Sequence, residues 1–345
     1  MPIQTNEGSV YPELTYSSYT NVSYRLQHIR RSVAGKQPNC CLILNPGVLA
    51  NELVNDVKFY SRFSVQCWNP EDGSLVEVLR QADEQEYAAI LVDPSGKNRL
   101  TDKELTLISR LKLKGGRIYN VNSFFEHLTG RIPLIALRNE WVINNDLFFV
   151  NTRAKFLLLK RAIDLCFCLF LAPFALLLSL LGMLLTKLSS KGPALFVQKR
   201  VGKNGKVFSI YKIRTMVHAP AGHTAFTVKN DNRVTGIGKI LRRTKIDELP
   251  QLLNILKGEM SLIGPRPERD DIVAAMVKEN PYYHLRHTVK PGVSGWAQIH
   301  NPTATPAQNL EKLEYDLYYV KNMSVFLDLK VLFKTIKIVF TLDSL

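Results

Sequence analysis

The chain has 345 residues, 46% hydrophobic and 22% charged, with a formal net charge of +15. That length allows two domains with ample buried core. Its five cysteines, at positions 40, 41, 67, 166 and 168, exclude a zinc site by spacing and a disulfide framework by number, and fit a reducing cytoplasm. Residues 1–150 hold 16 Lys/Arg and 16 Asp/Glu, so the whole positive surplus, 29 bases against 14 acids, lies in residues 151–345.

In chain order, residues 1–38 form a polar segment without the basic start and apolar core of a signal peptide. Residues 39–150 read as a Rossmann-like α/β domain. Strands are predicted at Cys41 to Leu44, Phe63 to Trp68, Ala88 to Val92 and Arg117 to Val121, with helices notably at Val48 to Val57 and Asp102 to Lys114. Such alternation predicts a parallel sheet with crossover helices. The first strand is followed by NPGVLANE, with one glycine and no GxGxxG, so the shape does not imply a dinucleotide. Asp93 to Gly96 reads as a turn. The domain is regulatory, assembly-forming or vestigial on this reading, and residues 123–160 connect it to an apolar membrane segment.

Residues 165–185, LCFCLFLAPFALLLSLLGMLL, carry no charge over 21 positions, roughly 30 Å of helix and enough to span a bilayer. Pro173 near the middle removes a backbone hydrogen bond and predicts a break. Arg153, Lys155, Lys160 and Arg161 precede the segment, and Lys187 and Lys191 follow it, which favours both ends on the cytoplasmic side. A Pro-broken re-entrant helical hairpin at about residues 160–187 satisfies both facts. A true span and a soluble core helix are the alternatives. Asp164, at the mouth, reads as a partner of Arg161 that anchors the hairpin at headgroup level.

Between Lys199 and Lys245 stand 12 basic residues and one acid, Asp231. The default readings are a solvated face or a nucleic-acid patch. The apolar segment beside the run turns the reading toward anionic membrane lipid and away from nucleic acid. Gly236 and Gly238 read as a turn before a helix carrying Lys239. The histidines at 218, 223, 284, 287 and 300 lack metal spacing, and Trp296 reads as a packing or interfacial aromatic.

An acidic pair, Asp247-Glu248, follows this run. Pro250 favours the first turn of a helix, which places the pair at or just before its start, with Leu252, Leu253, Ile255 and Leu256 as the apolar face. Acids there ordinarily serve the helix macrodipole. Here Arg242, Arg243 and Lys245 stand just upstream, and GPRP returns Arg266 downstream. A Pro-flanked Arg in a rigid turn suits bidentate grip on a phosphate. A carboxylate in that company can attack phosphorus once charge repulsion is relieved, Mg²⁺ being the usual means. The final stretch, Phe326 to Phe340, sets Lys330, Lys334 and Lys337 apart from Leu329, Leu332, Phe333, Ile336 and Phe340. It is a basic amphipathic helix, lying in the membrane interface or packed on the core.

Residues from about 160 to 340 closely resemble the bacterial sugar transferases, the monotopic polyprenyl-phosphate phosphoglycosyl transferases, and most of all their exopolysaccharide-priming members. The resemblance rests on KRAIDL, the Pro-broken hairpin, GPALFVQKRVGKNGKVFSIYKIRTM, NDNRVTGIGKILRRTKIDELPQLLNILKGEMSLIGPRPE, LRHTVKPGVSGWAQI and LEKLEYDLYYVKNMSVFLDLK, in that order. It implies a mostly α-helical monotopic membrane catalytic domain over residues 151–345, at the cytoplasmic face of a bacterial inner membrane. It also implies transfer of sugar-1-phosphate from a UDP-sugar to undecaprenyl phosphate with release of UMP, by a covalent route.

Asp247 matches the family nucleophile, with Mg²⁺ expected beside it. Glu248 matches its partner, which assists proton handling or positions the polyprenyl phosphate. Lys212, Arg242 and Arg266 match substrate- and phosphate-binding cations. Asp328 falls in a family motif, either touching substrate or ordering the last helix. Large members usually carry four transmembrane helices ahead of the Rossmann-like domain, where this chain has a polar segment. After GWAQI the family often continues with a Gly-containing loop, where HNPTATP stands here. A non-catalytic scaffold of the same fold is the alternative, and the intact Asp247, Glu248, Arg242 and Arg266 argue against it. Self-association into a homo-oligomer stays open.

Overall fold

The alternating apolar runs of the N-terminal half form a parallel sheet in a computed structural model of the protein, which describes residues 39–84, 87–93, 95–96, 99–137, 154–217, 231–301 and 308–341. Residues 1–38, Pro94, Arg153, His218, His223 and positions 302–306 of HNPTATP lie outside the described residues. The chain divides into two compact units, residues 1–124 and 125–345.

In the first unit β1 (Asn39–Leu44), β2 (Phe63–Trp68), β3 (Ala89–Val92) and β4 (Ile118–Asn120) pair in parallel in the order β2-β1-β3-β4. The crossovers are helical: α1 (Val48–Asn55) and α2 (Val57–Tyr60), then α3 (Leu75–Glu84), then α4 (Asp102–Leu113). Cys41, Leu42, Ile43 and Leu44 are all fully buried, as expected of a strand covered on both faces. α4 starts in a capping box, Thr101 and Glu104 exchanging bonds. At the carboxyl ends of β1 and β3, the switch point of this strand order, the Asp93 carboxylate takes up the free N–H groups that open α1. Its Oδ2 accepts from Gly47 N at 2.8 Å and Ala50 N at 2.7 Å, and its Oδ1 from Ser95 N and Oγ at 2.8 and 2.7 Å.

Helix α5 (Val121–Thr129) leads into the second unit. Residues 126–137, which the sequence reading leaves in a connection, pack there. Ile132 is fully buried with Tyr283, Leu285, Leu313 and Leu317, and Arg131 pairs with Glu314 at 3.0 Å. The apolar segment is α6 (Ala154–Ser189), the one described helix long and apolar enough to cross a membrane. It runs uninterrupted through Pro173, where the sequence predicts a break. A proline removes a single N–H, and the leucines and phenylalanines around it keep the remaining helix bonds.

Asp164, Cys168, Ala175, Ser179, Gly182 and Thr186 form the buried stripe of α6, while Phe170, Phe174, Leu177 and Leu188 are more than 60% exposed. Near its start Arg161 donates to the carbonyls of Ile255 and Leu256 at 2.6 and 3.0 Å. Near its end Thr186 Oγ1 donates to Arg214 O at 3.2 Å. A methyl group on Gly182 would lie 2.9 Å from the Ile213 side chain, so glycine permits the close approach there.

The hairpin of β5 (Leu195–Val201) and β6 (Val207–Ile213) is antiparallel, and β7 (Ser261–Ile263) pairs in parallel with β8 (Gly292–Ser294). Helices α7 (Gly236–Arg243) and α8 (Leu252–Lys257) flank a 3-10 turn, Ile246–Gln251. Gly236 and Gly238 form the first turn of α7 itself, with Thr235 as its cap, rather than a turn before it. Of the apolar face expected on α8, Ile255 is buried, whereas Leu253 and Leu256 face outward. After α9 (Asp270–Glu279) and α10 (Trp296–His300), α11 (Asn309–Asn322) and α12 (Val325–Thr341) close the unit. α12 packs Leu327 and Val331 on the core and exposes Phe326, Leu329, Phe333 and Ile336.

Candidate active site

Lys245 adopts a left-handed conformation (φ 58°) that ends α7 and swings the chain into the 3-10 turn carrying the acidic pair. Pro250 lies inside that turn and α8 follows, as the sequence predicts. Three other elements bring cations to the turn: β6 with Lys212, α7 with Arg242, and the loop after β7 with Arg266. α7 approaches the segment just after β6 so closely that a methyl group on Gly238 would lie 2.0 Å from Thr215 O. That approach lets Arg242 Nε donate to Thr215 Oγ1 at 2.8 Å.

The two acids have different surroundings. Glu248 Oε1 accepts from Lys212 Nζ at 2.8 Å and Arg266 Nη2 at 2.9 Å. Burial alone would raise its pKa, but Arg266 and Lys212 outweigh burial and hold the carboxyl well below the usual range. A carboxylate so stabilised is a weak base, and what it does here is fix two cations. Burial in turn pulls the Lys212 ammonium down, against the pull of Glu248. Asp247 is 8% exposed, and its Oδ1 has no hydrogen-bond partner among the described residues. Burial, reinforced by the negative charge of Glu248, pushes Asp247 up to about 6 despite Lys212, Lys245 and Arg242. Gln251, four residues on, is also buried, and its Nε2 lacks a partner among the described residues. The arrangement holds one carboxylate in reserve among cations whose other acid is already engaged.

Asp247, Glu248, Lys212, Arg242 and Arg266 are thus brought together, and Asp328 and Asp164 are not among their partners. Asp328 accepts from Lys160 Nζ at 2.6 Å and Tyr319 Oη at 2.7 Å, tying α12 to α6 and α11. Asp164 does not pair with Arg161. Its Oδ1 accepts from Ser261 Oγ at 3.1 Å and Leu262 N at 3.0 Å, because Arg161 is drawn to the open carbonyls at the end of α8. Pro173 lies within α6, outside the cluster.

Thr215 escaped the sequence reading, although it lies inside the YKIRTM block; a lone Thr carries no signal until Gly238 brings α7 against it. Among the described residues no group of three His, Cys, Asp or Glu could cage a metal. One carboxylate with an unpaired oxygen suits a hard cation that takes its remaining ligands from phosphate and water.

The sequence model for bacterial sugar transferases matches residues 155–342, from the start of α6 to the end of α12. The chain belongs to the bacterial sugar transferase family. Among its relatives is the UDP-N-acetylgalactosamine-undecaprenyl-phosphate N-acetylgalactosaminephosphotransferase of Aeromonas hydrophila, 40% identical over 262 residues, covering 74% of this chain and 59% of the relative. The exopolysaccharide production protein PSS of Rhizobium leguminosarum bv. phaseoli is 46% identical over 192 residues, 52% of this chain and 94% of that protein. The UDP-glucose:undecaprenyl-phosphate glucose-1-phosphate transferase of Escherichia coli (strain K12) is 39% identical over 193 residues, 52% of this chain and 39% of the relative. The chain therefore spans 59% of the Aeromonas protein's length and less of the Escherichia one. Every residue of the Asp247 cluster lies within the family region.

Proposed function

We propose that this chain transfers a sugar-1-phosphate from a UDP-sugar to undecaprenyl phosphate, releasing UMP, at the cytoplasmic face of the bacterial inner membrane. This would be the first membrane step in building an exopolysaccharide or related glycan. The observation that carries the reading is the unequal acid pair: Asp247 buried with an oxygen unpaired among the described residues, and Glu248 locked between Lys212 and Arg266. The names of the relatives, which act on undecaprenyl phosphate, support the same reaction class.

In the proposed route an Asp247 oxygen attacks the phosphorus attached to the sugar. The bond from that phosphorus to the bridging oxygen breaks, and UMP leaves with the electron pair. A phosphate oxygen of undecaprenyl phosphate then attacks the aspartyl-phosphosugar, freeing Asp247 and forming the lipid pyrophosphate sugar. Arg242, Arg266 and Lys212 hold phosphate oxygens through both steps, and Glu248 keeps Lys212 and Arg266 in place. Mg²⁺ held by Asp247 and the substrate pyrophosphate would offset phosphate charge and assist UMP departure.

α6 is proposed to enter one leaflet without crossing. Its first third, through Arg161 and Asp164, and its last third, through Gly182 and Thr186, contact the same globular unit. A helix fastened at both ends to one body does not deliver those ends to opposite faces of a bilayer. The exposed apolar residues of α6, α8 and α12 supply the surface that meets lipid.

The test is UMP release from a panel of UDP-hexoses and N-acetylated UDP-sugars with undecaprenyl phosphate. Mass spectrometry would look for a phosphosugar on Asp247 when acceptor is withheld. Release with one donor and an adduct on Asp247 are expected. Turnover that persists in Asp247→Asn would sink the covalent route. Labelling of Lys187→Cys from the periplasm would sink the topology.

A further inference from the structure

Arg266 belongs to a loop whose two flanking prolines, Pro265 and Pro267, have no N–H, so the loop can be held mainly through its carbonyls. Four consecutive carbonyls are each held. Pro265 O accepts from Gly292 N at 3.0 Å, and Glu268 O from Val201 N at 2.9 Å. The two between them are held by guanidiniums: Arg266 O by Arg286 Nη2 at 2.9 Å, and Pro267 O by Arg200 Nη1 at 3.2 Å.

Each guanidinium is itself fixed. Arg286 is 4% exposed, pairs with the buried Asp316 at 2.6 Å and donates to Tyr283 Oη at 2.7 Å. Arg200 donates to Gln198 Oε1 at 2.7 Å and pairs with Glu268 at 3.3 Å. One grip comes from the β5–β6 hairpin and the other from the helical part of the unit, backed by α11. Neither arginine contacts Asp247 or Glu248.

We infer that Arg200 and Arg286 are positioning residues, which set the Arg266 backbone so that its guanidinium meets Glu248 and the substrate phosphate. Each arginine already has an acid partner, Asp316 for Arg286 and Glu268 for Arg200, so charge pairing alone does not require the bond that each also gives to a loop carbonyl. Displacement of a phosphate-holding group by about 1 Å costs on the order of 100-fold in rate.

The inference rests on the proposed function for its kinetic consequence but not for its structural one, so it is tested with two readouts on the full chain in membranes or detergent. Arg200→Met is the primary variant. Because Arg286→Met strands the Asp316 carboxyl, the double variant Arg286→Met/Asp316→Asn accompanies it. Amide hydrogen exchange should quicken at Val201 and Gly292, the two N–H groups that donate to the loop, with the thermal midpoint little changed. UMP release should fall about 10- to 100-fold with KM for both substrates within about twofold, and Arg200→Lys should recover part of the loss.

In an Arg266→Ala background the Arg200→Met change should cost less than about twofold more, because both act through Arg266. Unaltered exchange at both amides, or a loss that adds in full to that of Arg266→Ala, would overturn the positioning role. If Arg266→Ala leaves UMP release intact, the proposed function of Arg266 fails, while the exchange result still decides what holds the loop.

Discussion

Asp93 in the N-terminal unit and Asp247 in the C-terminal unit are both buried, at 1% and 8% exposure, yet the fold treats their carboxylates in opposite ways. Both oxygens of Asp93 are saturated by four donors, three of them backbone N–H groups, and the residue closes the N-terminus of α1. Asp247 is surrounded by cations at a distance, pushed toward neutrality by burial and by Glu248, and its Oδ1 has no hydrogen-bond partner among the described residues. A satisfied buried acid holds structure together, whereas an unsatisfied one keeps chemistry available at a cost in stability.

The largest expected effect comes from removing the Asp247 charge. Asp247→Asn should lower UMP release by more than about 1000-fold, by analogy with loss of other covalent nucleophiles. It should also make the protein more stable near pH 8. The sign is set by linkage: the folded-state pKa of about 6 lies above the ordinary 3.8, so the native state binds the proton more tightly. Stability therefore falls as pH rises from about 4 to 6 and does not recover above that range. Removing the charge should restore on the order of 1–3 kcal/mol, read as a rise in Tm at pH 8 that vanishes near pH 4. A fall in Tm at pH 8 would break the comparison.

Asp93→Asn should act in the opposite direction, destabilising the N-terminal unit by about 2–3 kcal/mol in denaturant melts through lost charge-assisted bonds. Turnover per folded molecule should be unchanged. The smallest effect is on the pH profile. For wild type, kcat/KM should fall about tenfold per unit below about pH 6 as Asp247 takes up its proton. In the residual activity of Glu248→Gln that limb should move to lower pH, because a like charge is gone and Lys212 and Arg266 are unmasked.

The sequence made the parallel sheet legible because apolar runs and helical periods alternate there without ambiguity, and the strands fall where predicted. The acidic pair was legible as a candidate site because basic residues bracket it. Its asymmetry was not, since nothing in the order Asp-Glu says which side chain two cations will take. That depends on Lys212 and Arg266 arriving from 36 residues before and 18 after. Asp164 misled for a related reason: the nearest cation in sequence was already claimed by helix carbonyls some 94 residues away. Arg200 and Arg286 gave no signal, because a carbonyl ligand has no residue type.

The buried stripe of α6 also fixes an order of events during synthesis. Thr186 is made 28 residues before its partner Arg214, and Asp164 98 residues before Leu262. Until those partners emerge from the ribosome, both faces of the helix are uncovered. At about 5–20 residues per second that interval lasts seconds, far longer than helix formation itself. If α6 meets lipid as proposed, a bilayer would cover its outer face during the wait, and the nascent chain would reach lipid before the Asp247 cluster is assembled. On that proposal the globular unit would be assembled onto a helix already in place.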